Sequence, residues 1–264
     1  MMSLSLEYNP DLPIRLSETS LAFEYGPGVF GPEPEMRSLD AIRPSLRDPQ
    51  CSGPDPVYGI AMDIGRLVDR PLLNQRMLLF GAVVYAAGAL GLEPVRSQGH
   101  VHAIAPHSGW SPPEIFEIWH GKAIIYAQQR AQDDPGRCVA VVAKAGEKVV
   151  VPPGWAHCVI NADPTGRMAF GAWCDRQYGF DYTGVRMHHG LAWFPMHNGS
   201  DAIDWQFNSS YRETTLEHRV ARSYPELGLH PTRSLYRQFV ENPDSVSFVA
   251  DPQRAADCWP TFIP

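Results

Sequence analysis

The sequence predicts an all-β barrel or sandwich with a helical extension at its C-terminal end. Short apolar or alternating runs follow one another up to about residue 211, and turns separate them. The chain contains 25 prolines and 22 glycines, a content that suits many short strands joined by tight turns. Beyond residue 211 the spacing of the apolar residues becomes helical. We therefore expect a β domain with an N-terminal arm over residues 1–211 and a helical extension over residues 212–264, packed on that domain.

The predicted strands follow in chain order. The first fifty or so residues are rich in turns, and "FGAVVY" (80–85) suits a strand buried on both faces. "SQGHVHAIA" (97–105) alternates, which predicts a strand with His100 and His102 on one face. "PHSGWSPP" (106–113) predicts a loop. The later strand candidates are 114–121, 122–129, 136–151 with a turn at Ala145-Gly146, 157–161, 167–174, 190–196 and 202–207.

Two segments of the extension carry helical spacing. They are "RETTLEHRVARSY" (212–224) and "PTRSLYRQFVEN" (231–242). The second begins with Pro231-Thr232, a pair that is typical of a helix start.

Composition limits the partners and the compartment. The formal net charge is −7 and no Lys/Arg-rich run occurs, which argues against nucleic acid as a partner. No apolar run is long enough to cross a bilayer, so we expect no membrane partner. The opening residues have no basic segment followed by an apolar one, so no secretory signal is expected. Five widely spaced cysteines without a C-x-x-C motif predict free thiols in a reducing cytoplasm.

Three imidazoles and one carboxylate form the candidate metal site. Alternation places Glu114 on the same strand face as Phe116, and Glu117 on the opposite face. The predicted loop over residues 106–113 contains His107, which is an alternative to Glu114 as a metal ligand. Such nitrogen and oxygen donors suit one divalent cation per chain, and residue type alone leaves Fe, Mn, Ni, Zn and Cu open. The predicted ligands are His100, His102, Glu114 and His157.

Two stretches, residues 100–121 and residues 146–161, resemble the paired motifs of the cupin superfamily. The second matches without a gap, from Gly146 through Pro152 and Gly154 to His157 and Asn161. The first matches at His100-x-His102 and at Glu114-x6-Gly121. It departs from the pattern because eleven residues separate His102 from Glu114, where cupins usually have three or four. The resemblance implies a cupin jelly-roll barrel in which the proline-glycine turn directs His157 to the metal.

A narrower resemblance covers residues 20–211 and concerns the cupin-type phosphoglucose isomerases, best known from archaea. It is carried by "MRSLDAI", "PDPVYGI", "SQGHVHA", "PEIFEIWHGKA", "VVVPPGWAHCVIN" and "FDYTG". The resemblance implies a cytoplasmic, homodimeric, metal-dependent isomerase that interconverts glucose 6-phosphate and fructose 6-phosphate in glycolysis and gluconeogenesis. The homodimer would form through barrel edge strands.

The resemblance also implies roles for individual residues. Glu114 would be the base that moves a proton between C1 and C2, unless a hydride shifts directly. Tyr182 would orient the sugar, and the phosphate would meet the Ser97 hydroxyl and the Gly99 amide. Apart from the resemblance, Arg96 is a nearby cation whose guanidinium can make a forked contact with the phosphate. The family's tyrosine and histidine at two further positions are Phe116 and Phe180 here. These changes leave open a cupin isomerase or oxygenase that acts on another substrate, or a metal-bearing sugar-binding protein without turnover.

Overall fold

The computed structural model describes residues 11–199 and 202–264. Residues 1–10, on which the expectation of no secretory signal largely rests, lie outside these ranges. The described residues form short strands that we number in chain order. They are β1 (Ile14–Leu16), β2 (Phe23–Tyr25), β3 (Val29–Phe30), β4 (Glu35–Arg37), β5 (Tyr58–Met62), β6 (Gly65–Arg66), β7 (Leu78–Tyr85), β8 (Ala89–Leu90), β9 (Glu93–Pro94), β10 (Val101–His102), β11 (Glu114–His120), β12 (Lys122–Gln128), β13 (Cys138–Lys144), β14 (Lys148–Val151), β15 (Ala156–Asn161), β16 (Met168–Asp175), β17 (Phe180–Asp181), β18 (Trp193–His197), β19 (Ile203–Phe207) and β20 (Leu216–Val220).

The helices are few and short. The α-helices are α1 (Leu39–Ile42), α2 (Arg70–Gln75), α3 (Thr183–Met187) and α4 (Leu235–Glu241). Turns of 3₁₀ helix cover Arg43–Ser45, Leu67–Asp69, Pro225–Leu227, Pro243–Val249, Pro252–Ala255 and Trp259–Thr261. Within the described ranges, no helix combines the length and the apolar character needed to cross a bilayer.

Two sheets dominate the fold, and the predicted all-β class is confirmed. The larger sheet is antiparallel in the order β14-β11-β16-β7-β5-β4. The smaller sheet has the order β15-β12-β13-β20, and β20 runs parallel to β13. The barrel is therefore built from two facing sheets whose inward side chains meet in one core.

Strict alternation along the strands places apolar residues on both faces of each sheet. In β11, Phe116 and Ile118 point into the core between the sheets, whereas Ile115 and Trp119 point outwards. The outward face is also apolar, so it must be covered to stay out of water. Residues 224–262 provide this cover, because Leu235, Tyr236, Phe239, Val246 and Phe248 pack against it.

The C-terminal segment differs in part from its prediction. Residues 231–242 contain α4, but the helix begins after Ser234, whose side chain accepts a hydrogen bond from the amide of Arg237. Residues 212–224 contain no helix, and the helical prediction there is wrong. They contain β20, which extends the smaller sheet next to β13.

Candidate metal centre

A tight turn delivers His157. Strand β14 ends at Val151, and the turn that follows includes Gly154 in the left-handed region with φ +77°. Strand β15 then begins at Ala156, with His157 paired opposite Ala127 of β12. Because side chains alternate along β15, the His157 ring enters the space between the sheets.

The first histidine pair comes from a less regular segment. His100 makes a single antiparallel bridge with His157, in which each amide donates to the other carbonyl oxygen at 3.1 and 2.9 Å. His102 lies in the two-residue strand β10 and pairs with Phe180 of β17. The predicted strand over residues 97–105 is thus reduced to this short piece. Gly99 precedes the pair with φ +87°, and a Cβ there would lie 2.9 Å from the Leu191 side chain, so only glycine fits.

The carboxylate comes from the start of β11. Glu114 pairs opposite Val151 of β14 and faces the histidines, whereas Glu117 lies on the other face. Glu117 there contacts Lys148, and its Oε2 accepts the amide of Leu235 at 3.2 Å. His107, the alternative ligand, is drawn away from the centre. Its Nε2 lies 3.1 Å from Asp175 Oδ2.

The four predicted ligands converge. Their nearest ligating atoms all lie within 4.8 Å of one another. Oε2 of Glu114 lies 3.1 Å from Nε2 of His157 and 3.3 Å from Nε2 of His102. The His100 ring completes the group, with its centroid 4.5 Å from that of His157 and 5.1 Å from that of His102.

The hydrogen bonds around the histidines suit a cation. Nδ1 of His102 faces the carbonyl oxygen of Pro112 at 2.9 Å, and Nδ1 of His157 faces that of Trp155 at 3.1 Å. A ring N–H at Nδ1 satisfies each carbonyl and leaves the lone pair on Nε2, turned towards the cluster. Nε2 of His100 is buried without a hydrogen-bond partner, and Nε2 of His102 faces the Glu114 carboxylate at 3.3 Å. Imidazole nitrogens with a free lone pair, together with one carboxylate, are the ligand atoms that a divalent metal requires.

Electrostatics favour the metal-binding forms of Glu114 and His100, whereas the Glu114 carboxylate outweighs burial at His102 and raises the pKa of that ring. Burial alone would raise the pKa of the Glu114 carboxyl, but the adjacent rings of His102 and His157 outweigh it and hold that pKa well below its ordinary value. Burial, together with the neighbouring His157 and His102, holds the pKa of His100 well below its ordinary value. Glu114 is therefore ionised and His100 neutral near pH 7.

A cavity of about 620 Å³, measured out to its open mouth, adjoins this cluster. Its walls are mainly apolar, and they are formed by β5, β7, β11, β15 and β16. Phe116 and Phe180 both line it, and the Phe180 ring lies 4.4 Å from the His100 ring. The apolar lining residues are Ile60, Met62, Val83, Phe116, Val159, Phe170, Ala172 and Phe180.

The predicted substrate contacts divide into two groups. Ser97, Gly99 and Tyr182 line the cavity, and the Tyr182 ring lies 5.9 Å from that of His100. Arg96 does not line it, so the prediction that this guanidinium meets the substrate needs correction. It is buried in a pair with Glu93 at 2.6 Å and donates to the carbonyl oxygen of Ser45. The ion pair with Glu93, three residues upstream, holds the guanidinium away from the cavity.

One residue of the site was missed in the sequence. The Cys174 thiol donates to Oε1 of Glu114 at 3.2 Å, on the side away from the histidines. Cys174 lies at the end of β16, and alternation places it on the same face as Phe170 and Ala172. That alternation was visible in the sequence and could have placed the thiol in the cavity wall.

Comparison with known proteins agrees with this centre. The family model described as "Glucose-6-phosphate isomerase (GPI)" matches residues 49–212, more than half of the chain. That segment contains all four candidate ligands, and with the two facing sheets it confirms the predicted cupin fold. No curated protein gives a sequence match.

Solved structures also resemble the chain. A recombinant oxalate oxidase in complex with glycolate is 20% identical, with a TM-score of 0.33 over 46% of this chain and 52% of that one. Hazelnut (Corylus avellana) vicilin is 10% identical, with a TM-score of 0.36 over 49% and 33%. An oxalate decarboxylase variant from B. subtilis is 16% identical, with a TM-score of 0.33 over 46% and 26%. The matched part thus spans between a quarter and about half of these chains.

Proposed function

The chain belongs to the glucose-6-phosphate isomerase family, and on that premise we propose that it is a metal-dependent aldose–ketose isomerase that interconverts glucose 6-phosphate and fructose 6-phosphate. The observation that carries the proposal is the convergence of three imidazoles and one carboxylate within 4.8 Å at the wall of an open cavity. His100, His102, Glu114 and His157 would hold the metal. When bound, a divalent cation there would polarise the substrate oxygens and stabilise the negative charge that develops during the reaction.

Glu114 is the proposed base. Its Oε2 faces the imidazoles, and its Oε1 faces the Cys174 thiol and the cavity. We propose that this carboxylate takes the proton from C2 of the open-chain aldose and returns it to C1, while the proton of the C2 hydroxyl moves to the C1 oxygen. Tyr182, whose ring lies beside that of His100 in the cavity wall, would orient the sugar. The apolar walls would keep water away from the carbon that loses the proton.

The decisive experiment uses protein stripped with a chelator and then loaded separately with Fe, Mn, Ni or Zn. Interconversion of the two sugar phosphates is expected to return with at least one of these metals. The reaction run in deuterium oxide then tests the base, because a proton moved by Glu114 exchanges with solvent and leaves deuterium on the product. A direct hydride shift leaves none. Failure of every metal to restore turnover would remove the isomerase proposal.

A second candidate rests on the apolar cavity walls. Phe116 stands where the family has a tyrosine, and a hydroxyl available to a sugar is therefore missing. The alternative is a metal-dependent isomerisation or oxygenation of a less polar substrate at the same four ligands. Oxygen uptake by the iron-loaded protein with such a substrate would favour it. Calorimetry that shows tight sugar-phosphate binding without conversion would instead favour a binding protein.

We also propose a cytoplasmic homodimer. All five cysteines are free and four of them are buried, which supports a reducing compartment. Light scattering coupled to size-exclusion chromatography measures the oligomeric state directly. A mass of one chain would exclude the dimer.

A further inference from the structure

Strand β20 forms an exposed edge of the smaller sheet. Within the described ranges, β13 is the only strand that pairs with it, in parallel. The strand also lies beyond residues 49–212, the part of the chain that the family model matches. Its last residue, Val220, is 75% exposed. An open strand edge with an exposed apolar side chain is a place where another chain can pair.

The backbone of β20 turns every second residue towards this open edge. The amide of Ala221, directly after the strand, donates to the carbonyl oxygen of Val142 in β13 at 2.8 Å. Because successive residues of a strand point their amides and carbonyls to opposite sides, the odd-numbered residues of β20 face β13 and the even-numbered residues face outwards. The outward-facing residues are Leu216, His218 and Val220.

The sequence of β20 is self-complementary when the strand runs antiparallel to a copy of itself. A two-fold axis at His218 sets Leu216 opposite Val220 of the second copy, and Glu217 opposite Arg219 of the second copy. Each outward-facing residue and its counterpart then exchange two N–H···O bonds. Apolar pairs and pairs of opposite charge across neighbouring strands stabilise a sheet. The five residues of β20 therefore fit a second β20 along its whole length.

The charged side chains of β20 suit this pairing. The Glu217 carboxylate accepts Nε and a terminal nitrogen of Arg137 at 2.8 and 2.9 Å, which fixes its position. A terminal nitrogen of Arg219 donates to Glu217 Oε2 at 2.7 Å. Nε of Arg219 finds no hydrogen-bond partner among the described residues. The two-fold axis would bring the Glu217 carboxylate of the second copy to this arginine.

The larger sheet has an edge with the same charge pattern, but that edge is shorter. Strand β4 reads Glu35-Met36-Arg37 and lies at the end of the sheet beside β5. The carbonyl oxygen of Arg37 accepts the amide of Val57 at 2.8 Å, so of the three residues Met36 is the one that faces outwards. Two copies of β4 could share one hydrogen-bonded pair, whereas two copies of β20 could share three. The edge at β20 is therefore the better surface for a second copy.

We infer that two copies of the chain pair antiparallel through β20, which joins their smaller sheets into one continuous sheet across a two-fold axis at His218. The inference rests on the proposed homodimer and names its interface. It does not depend on the isomerase activity.

The test measures the mass of the full metal-loaded protein by light scattering coupled to size-exclusion chromatography, over a series of protein concentrations. His218→Pro removes an outward-facing amide and leaves the bonds to β13 intact, so a mass of one chain is expected. Val220→Asp places a charge in the apolar pair and is expected to weaken the dimer at least about tenfold. Arg219→Ala is expected to weaken it about fivefold, because the symmetry removes two charge pairs at once.

Two variants are matched controls. Met36→Pro makes the same change at the edge of β4, and Val68→Asp places a charge at a residue of similar exposure, 78%. Both are expected to dimerise like the wild type. Near-UV circular dichroism shows whether each variant is folded.

The outcomes separate the interface from the other proposals. A wild-type mass of one chain at every concentration removes the interface together with the homodimer, whereas the isomerase is judged by turnover alone. A wild-type dimer that persists in both His218→Pro and Val220→Asp keeps the homodimer and overturns the interface at β20. A mass of one chain for folded Met36→Pro assigns the interface to β4 and also overturns the inference. A different polypeptide that co-purifies with the wild type and is lost from His218→Pro would show that the edge binds another protein, with the same consequence.

Discussion

The two stretches that supply the metal ligands are held in place by different means. Residues 146–161 form a strand, a turn and a strand, and His157 sits in a six-residue strand bonded to β12 along its whole length. Residues 100–121 supply three ligands, but two of them come from a bridge and a two-residue strand. Between His102 and Glu114 the chain makes a long loop. Regular strand pairing therefore holds the second stretch, and the first needs support of another kind.

That support comes from the C-terminal segment. Nε2 of His107, in the loop, lies 3.0 Å from the carbonyl oxygen of Ala250. Its Nδ1 lies 3.0 Å from Gln177 Oε1. The same loop places the carbonyl oxygen of Pro112 2.9 Å from Nδ1 of His102. An insertion within one motif and an extension beyond residue 212 thus contact each other and orient a ligand together.

The largest effect is expected when one imidazole is removed from either stretch. His102→Ala and His157→Ala should each weaken metal binding at least about 100-fold, since loss of an outer contact alone costs 10–100-fold. Competition with a chelator measures the affinity. His189→Ala, at an exposed residue, is the control and should bind like the wild type. If either ligand variant keeps wild-type affinity, the four-ligand centre is wrong.

Breaking the link between the loop and the C-terminal segment should affect the first stretch alone. His107→Ala leaves the buried Asp175 carboxylate without its neighbouring ring, and we expect a loss of about 3 kcal/mol in the free energy of unfolding. Urea denaturation measures it. We also expect about tenfold weaker metal binding, because the Pro112 carbonyl is less firmly placed. Unchanged metal affinity would show that the first stretch supports itself.

The second stretch is braced at its last residue, Asn161. Asn161 Nδ2 donates to the carbonyl oxygens of Ala86 and Gly166 at 3.0 and 2.8 Å. Asn161→Ala leaves the buried Ala86 carbonyl and the partly buried Gly166 carbonyl without this donor, and we expect a loss of about 2 kcal/mol of stability. In contrast to His107→Ala, metal affinity should stay within about twofold, because β15 still holds His157. A large fall in affinity would erase the difference between the stretches.

The smallest change in free energy is expected at Glu114, the carboxylate of the first stretch that contacts His157 of the second. Cys174→Ala removes the thiol that donates to Glu114 Oε1, and metal binding should weaken about tenfold. Cys174→Ser restores a donor in nearly the same volume and should recover most of that loss. Equal affinities in both variants and the wild type would mean that the thiol only fills space.

The sequence predicted the site better than its surroundings. The four ligands could be named because their spacing follows the alternation of strands and one proline-glycine turn, and both are local properties. Strand β20 was missed because Leu216 and Val220, four residues apart, fit a helix and a strand equally well. Its partner is residues 138–142, more than 70 positions away, and no local pattern reveals such a pairing.

The six-stranded sheet lies between the cavity and the C-terminal segment. Adjacent residues of one strand therefore face the cavity and that segment in turn. Cys174 faces Glu114, and its neighbour Trp173 stacks on Tyr236 with an interplanar angle of 15° and donates to the carbonyl oxygen of Leu235. We therefore expect a substitution beneath Trp173 to be felt at the thiol of Cys174, because the two residues are adjacent in the same strand. Substitutions at residues that do not contact a substrate can thus change which ligands the cavity binds.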